Sequence, residues 1–79
     1  MTPELRKYYE ERFSMMSTKG WADLIEDTEQ LKHSYDNLST IKTVDDLYFR
    51  QGQLDIINWI LNLKQVSEQA FEELNAETI

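Results

Sequence analysis

Leu54-Asp55-Ile56-Ile57-Asn58-Trp59-Ile60-Leu61-Asn62-Leu63 carries seven apolar side chains in ten positions. Its polar residues, Asp55, Asn58 and Asn62, recur at spacings of three and four, so on a helix they fall on one narrow strip. The remaining surface of such a helix is apolar almost all round, and a rod of that kind has to be covered by protein on two or more sides. Working outward, Thr43-Val44-Asp45-Asp46 supplies a start, with Thr43 as cap and Asp46 at the third position of a capping box. The pattern runs on to Leu74. The stretch 43–74 is therefore read as one long helix, about 45 Å in length at 1.5 Å per residue.

Two shorter helices precede it. Thr2-Pro3-Glu4-Leu5 is a helix start: Thr2 caps, Pro3 suits the first position, and Glu4 faces the positive dipole end. Leu5, Tyr8, Tyr9, Phe13 and Met16 then form a stripe, giving a helix over about 3–16. Ser17-Thr18-Lys19-Gly20 breaks the chain, with Ser17 or Thr18 available to cap and Gly20 suited to a tight turn. Trp21, Leu24, Ile25, Leu31, Tyr35 and Leu38 mark a second helix over about 18–38. Residues 36–42 read as the loop into the third helix, with Ile41 tucked beneath it.

The fold expected is all-α, one domain over 1–79. Helices two and three form an antiparallel hairpin, and helix one packs on the long third helix. Pairing about Ile41 sets Tyr35 against Leu47, Leu24 and Ile25 against Ile57, and Trp21 near Leu61. The third helix outruns the second, so Leu5, Tyr9, Phe13 and Met16 are expected on Val66, Ala70, Phe71 and Leu74; otherwise the overhang is a docking arm. The direction of helix one stays open. Gly52, mid-helix, costs about 1 kcal/mol relative to Ala. Its expected return is close approach of another helix or a ring, with Tyr35 or a helix-one aromatic as candidates. Asn75 to Ile79 is expected to fray.

Composition narrows the function. The chain has 79 residues, no cysteine and a net charge of −7. A chain so short buries only about 60% of its unfolded surface, and without disulfides it relies on helix packing, self-association or docking on a partner. Residues 1–20 sum to +1, whereas 21–40 and 41–79 carry −4 each. The acidic two-thirds would repel a phosphate backbone, which argues against direct nucleic-acid binding. The N-terminal stretch is too densely charged for a signal peptide, and 54–63 is too short to span a bilayer, so a soluble protein is expected.

No catalytic constellation emerges. A nucleophile needs a positioned base, and one histidine with no cysteine supplies neither common pairing. No metal-ligand cluster and no phosphate loop is present in the sequence, so no catalytic residue, cofactor or metal is expected. His33 reads as a surface histidine. Asp23, Glu26 and Asp27 crowd the first turns of helix two, where the dipole favours them; a cation or basic-partner site is the alternative reading. The aromatics are more numerous than so small a core needs, Tyr48 and Phe49 among them. Tyr8, Tyr9, Phe13, Trp21, Trp59 and Phe71, with Leu74, are the candidate partner-binding residues, because rings bring large apolar contact at low entropy cost.

Three stretches carry a family resemblance: Tyr8-Tyr9-Glu10-Glu11-Arg12-Phe13, Gly20-Trp21-Ala22-Asp23-Leu24-Ile25-Glu26-Asp27, and Leu47-Tyr48-Phe49-Arg50-Gln51-Gly52-Gln53-Leu54-Asp55-Ile56. Over about residues 8–63 the chain resembles a group of small helical proteins encoded by tailed bacteriophages, mainly short-tailed marine ones. The resemblance implies a non-enzymatic phage structural or interaction protein, a minor virion component docking on capsid, portal or tail proteins. It places the protein in the virion and in the cytoplasm of the infected bacterial host. The expected partners are phage virion proteins, with a homo-oligomer of the chain itself among them, and neither nucleic acid nor membrane. The alternative is an acidic phage-encoded regulator that inhibits a host enzyme by charge mimicry, which requires Asp23, Glu26, Asp27 and the C-terminal glutamates on one face. The resemblance transfers no functional residue.

Overall fold

The computed structural model describes residues 1–77, and it is all-helical. The helices are α1 (Pro3–Met16), α2 (Lys19–Tyr35) and α3 (Val44–Ala76), with a 3₁₀ turn at Leu38–Thr40 between the last two. Each α-helix opens on a threonine. The hydroxyl oxygens of Thr2, Thr18 and Thr43 accept hydrogen bonds from the backbone N–H of Leu5, Trp21 and Asp46 at 3.1, 3.2 and 3.0 Å, satisfying an otherwise orphan donor in each first turn. The Asp46 carboxylate reaches back one residue further than the usual box, accepting from the Lys42 N–H at 3.2 Å. α2 stops at Tyr35, three residues before the expected end. There Asn37 caps the 3₁₀ turn, its side-chain oxygen accepting from both the backbone N–H and the hydroxyl of Ser39. The C-terminal fraying expected from Asn75 is not found at Asn75 and Ala76, which continue α3. Thr78 and Ile79 lie outside the described residues.

The architecture follows from helix lengths. Pro3 to Tyr35 spans as many residues as α3, 33, and the break at Ser17-Thr18 is too short to turn the chain back. So α1 and α2 lie nearly end to end, both antiparallel to α3. Side-chain contacts fix the direction of α1: Arg6 donates to the Asn75 side chain at 3.0 Å, the Tyr9 and Phe71 rings stand 5.8 Å apart, and Arg12 donates to the Ser67 hydroxyl at 3.2 Å. Helix one thus covers the overhang, and the rod measures 52 × 27 × 16 Å. α2 makes the more extensive contact with α3. The covered side of α3 drifts along its length, from Arg50, Ile57 and Leu61 under α2 to Ser67, Phe71 and Leu74 under α1.

Arginines, not ion pairs to carboxylates, fasten the two layers. Arg50 lies over the Tyr35 ring, 5.2 Å from its centroid. It donates to the Tyr35 carbonyl at 2.7 Å and to the Thr40 hydroxyl at 3.0 Å, closing the hairpin on one of α2's unpaired C-terminal carbonyls. Arg12 stacks on Tyr8 and donates to its hydroxyl. The two ion pairs among the described residues, Lys7–Glu11 and Lys19–Asp23, join residues four apart on exposed faces and contribute little. Ser67 is buried because a small side chain lets α1 approach closely; the guanidinium of Arg12 satisfies it.

Several expectations need correction. Ile57 shares its groove with Leu31, and Leu24 is half exposed, so α2 sits further along α3 than apolar pairing about Ile41 implies. Arg50 sets that register: its bond to the Tyr35 carbonyl brings Tyr35 near Arg50 instead of Leu47, which is itself exposed. Gly20 makes no turn, since it lies within the first turn of α2 and has no positive φ. A Cβ at Gly52 would meet nothing within 4 Å, so neither Tyr35 nor a helix-one ring takes the space. Val66 is open to solvent instead of lying under α1. Covering of α3 on two sides also fails: with α1 and α2 in tandem, each turn of α3 has a single neighbour. Ile56 and Trp59 face water at 62% and 61% exposure.

Candidate protein-docking site

The open side of α3 is the molecule's most distinctive surface. Phe49, Gly52, Ile56, Trp59, Leu63, Val66 and Ala70 alternate at spacings of three and four, a repeat of 3.5 that keeps them on one stripe. Leu63 and Ala70 at its edge are half-buried; Phe49, Ile56, Trp59 and Val66 are exposed. At its upper end the stripe broadens into an open groove of about 590 Å³. Leu31 and Tyr35 of α2 form one wall, and Tyr48, Phe49, Gly52 and Ile56 of α3 form the other. Isolated surface hydrophobics are ordinary, whereas a contiguous run that includes two large rings and a groove is a candidate interaction site.

The electrostatics of this side differ from those of the rest of the chain. Between Tyr48 and Phe71 the charged residues are Arg50, Asp55, Lys64 and Glu68; with Arg50 turned to α2, the other three leave this stretch a net −1 of the chain's −7. The polar residues flanking the stripe are mostly amides: Gln51, Gln53, Asn62 and Gln69. Such flanks hydrogen-bond at a rim without the desolvation cost of charge.

The candidate residues named from sequence divide in three. Tyr9, Phe13 and Phe71 form an internal ring cluster, with Phe13 edge-on to Phe71 at 5.6 Å and Arg6 over the Phe71 ring. Trp21 and Leu74 are half-buried. Tyr8 and Trp59 are exposed, Tyr8 edge-on to Tyr9 at 5.4 Å. The structure therefore brings Trp59 alone of the seven onto the open stripe. Phe49, Gly52, Ile56 and Val66 were missed as site residues, although their 3.5-residue spacing with Trp59 is visible in the sequence.

Elsewhere the surface offers less. His33 is exposed at a second, smaller groove with Glu29, Lys32, Asp36 and Leu61, lined about equally by polar and apolar surface. Asp23, Glu26 and Asp27 are exposed as well, and Lys19 lies 2.9 Å from Asp23. No group of three or more His, Cys, Asp or Glu side chains among the described residues is placed to hold a metal ion. No helix among them is long and apolar enough to cross a membrane. Fold and surface together define a two-layer helical rod with one uncovered apolar side. No protein-family model matches the chain, and neither curated proteins nor solved structures include a significant match.

Proposed function

We propose that this chain is a non-enzymatic interaction module, a minor component of a bacteriophage particle associated with capsid, portal or tail proteins, and that the open side of α3 is a protein-docking surface. The observation that carries the docking role is the exposed stripe of Phe49, Ile56, Trp59 and Val66, continuous with the groove between α2 and α3. A helix-shaped apolar stripe edged by amides fits a partner helix laid along it, with the rings as anchors. The phage setting is supported by the resemblance of residues 8–63 to small proteins of tailed bacteriophages. Quantitative mass spectrometry of purified particles of the encoding phage tests it. The chain is expected at a fixed copy number per particle, and its absence from washed particles would remove the virion role.

A further inference from the structure

We infer that the occupant of the α3 stripe is a second copy of this chain, paired along α3 in a two-fold dimer. This rests on the reading of the stripe as a docking surface and adds the identity of what covers it. The first observation is periodicity: Phe49, Gly52, Ile56, Trp59, Leu63 and Val66 hold a strict three-four alternation over three heptads. That repeat matches the seam of paired helices, whereas packing on an irregular surface needs no fixed period. The second is area. A compact folded monomer of 9.4 kDa exposes about 5,000 Å², and this protomer exposes 6144 Å². The difference, about 1,100 Å², is spread over an elongated rod, so a pair laid lengthwise has surface to remove the roughly 800 Å² that each partner contributes to a standard stable interface.

Charge then selects the partner. Two chains of net charge −7 repel one another wherever their acidic surfaces meet, but residues 48–71 are close to neutral as a block. A copy can approach along this side with few like charges brought together, and a basic partner gains little there. Gly52 supplies the final observation: open space lies where its side chain would be, so the mid-helix glycine has no return within the chain. In an antiparallel pair, Gly52 stands opposite Leu63 of the second copy, Ile56 opposite Trp59, and Phe49 opposite Val66. Each layer then sets a larger residue against a smaller one, and the two-fold rotation maps the pairing onto itself.

The experiment is sedimentation equilibrium of the full chain with Ile56→Glu and Val66→Glu, and with Leu38→Glu as an exposed apolar control off the stripe. Circular dichroism establishes that each variant keeps its helices. The wild-type chain and the Leu38 variant are expected as dimers at micromolar concentration. Either stripe variant should weaken dimerisation by at least about tenfold. A wild-type chain that stays monomeric to about 100 µM, or a dimer that both glutamates leave intact, overturns the inference. A spin label on Ser39→Cys reports direction in this cysteine-free chain. Antiparallel pairing holds the two loops about 40 Å or more apart, and a short distance overturns that arrangement. A monomer present in virions defeats the dimer alone; a dimer absent from virions defeats only the virion role.

Discussion

Gly52 and Trp59 show how little a residue's identity reveals until its neighbours are known. A glycine in mid-helix signals close approach of something, but with no side chain it cannot say of what; only the coordinates show that nothing in the same chain comes near. Gly52 has no positive φ, so alanine fits its backbone. On the Ile56→Glu background, which removes any effect of self-association, Gly52→Ala should stabilise the fold by about 1 kcal/mol. Thermal melting would show this as a rise of about 4–8 °C. Trp59 presents the opposite case, a large ring that sequence alone assigns to core or to interface equally well. On the same background Trp59→Ala should change folding stability by no more than about 0.5 kcal/mol. A loss of several kcal/mol in urea melts would mean that the ring is covered within the chain. Two of the caps needed no such arbitration: Thr2 before proline and Thr43 before a pair of aspartates are readable because the hydrogen bond each makes is local, whereas the choice between Ser17 and Thr18 fell to Thr18 only in the structure.

At the scale of elements, the three helices were legible and their register was not. Apolar periodicity locates a helix, but α3 has apolar residues on most of its circumference, so several slides of α2 along it look equally good. The register rests on a polar residue. Arg50 bridges the Tyr35 carbonyl and the Thr40 hydroxyl, contacts no hydrophobic pattern can announce. Arg50→Ala should cost about 1–2 kcal/mol in denaturant unfolding. Arg50→Lys should recover less than half of that, since a single ammonium cannot reproduce the two-pronged contact and the stacking on Tyr35. α1 depends on a different cluster, Tyr9, Phe13 and Phe71 with Arg6. Phe71→Ala should cost about 2–3 kcal/mol, below the fully buried value because the ring is partly exposed. Hydrogen exchange should then show α1 amides losing protection while those of α2 and the first half of α3 keep theirs. Equal loss throughout would show that the three helices unfold as one unit.

For the molecule as a whole, the expectation that α3 must be covered within the fold fails at Ile56 and Trp59. Helical wheels count apolar faces, but whether one chain can cover them depends on how many helices lie abreast, and here α1 and α2 lie in file. The resulting rod has a radius of gyration of 16.7 Å, against about 11.6 Å for a compact domain of this length. Salt should act on its assembly in one direction. Because the stripe is nearly neutral while the protomer carries −7, added salt screens only the general repulsion between copies. Dimerisation is therefore expected to tighten slightly as ionic strength rises, as read by sedimentation; marked weakening would mean that charged contacts hold the pair. The contact between Arg6 and Asn75 carries one more consequence. It brings the beginning and the end of the described chain to the same tip of the rod, with the Leu38–Thr40 turn at the other. A short linker across that tip, with the chain reopened at the turn, would give a circular permutant with the same helices in a new order, and any domain fused at either end would ride on one pole and leave the other clear.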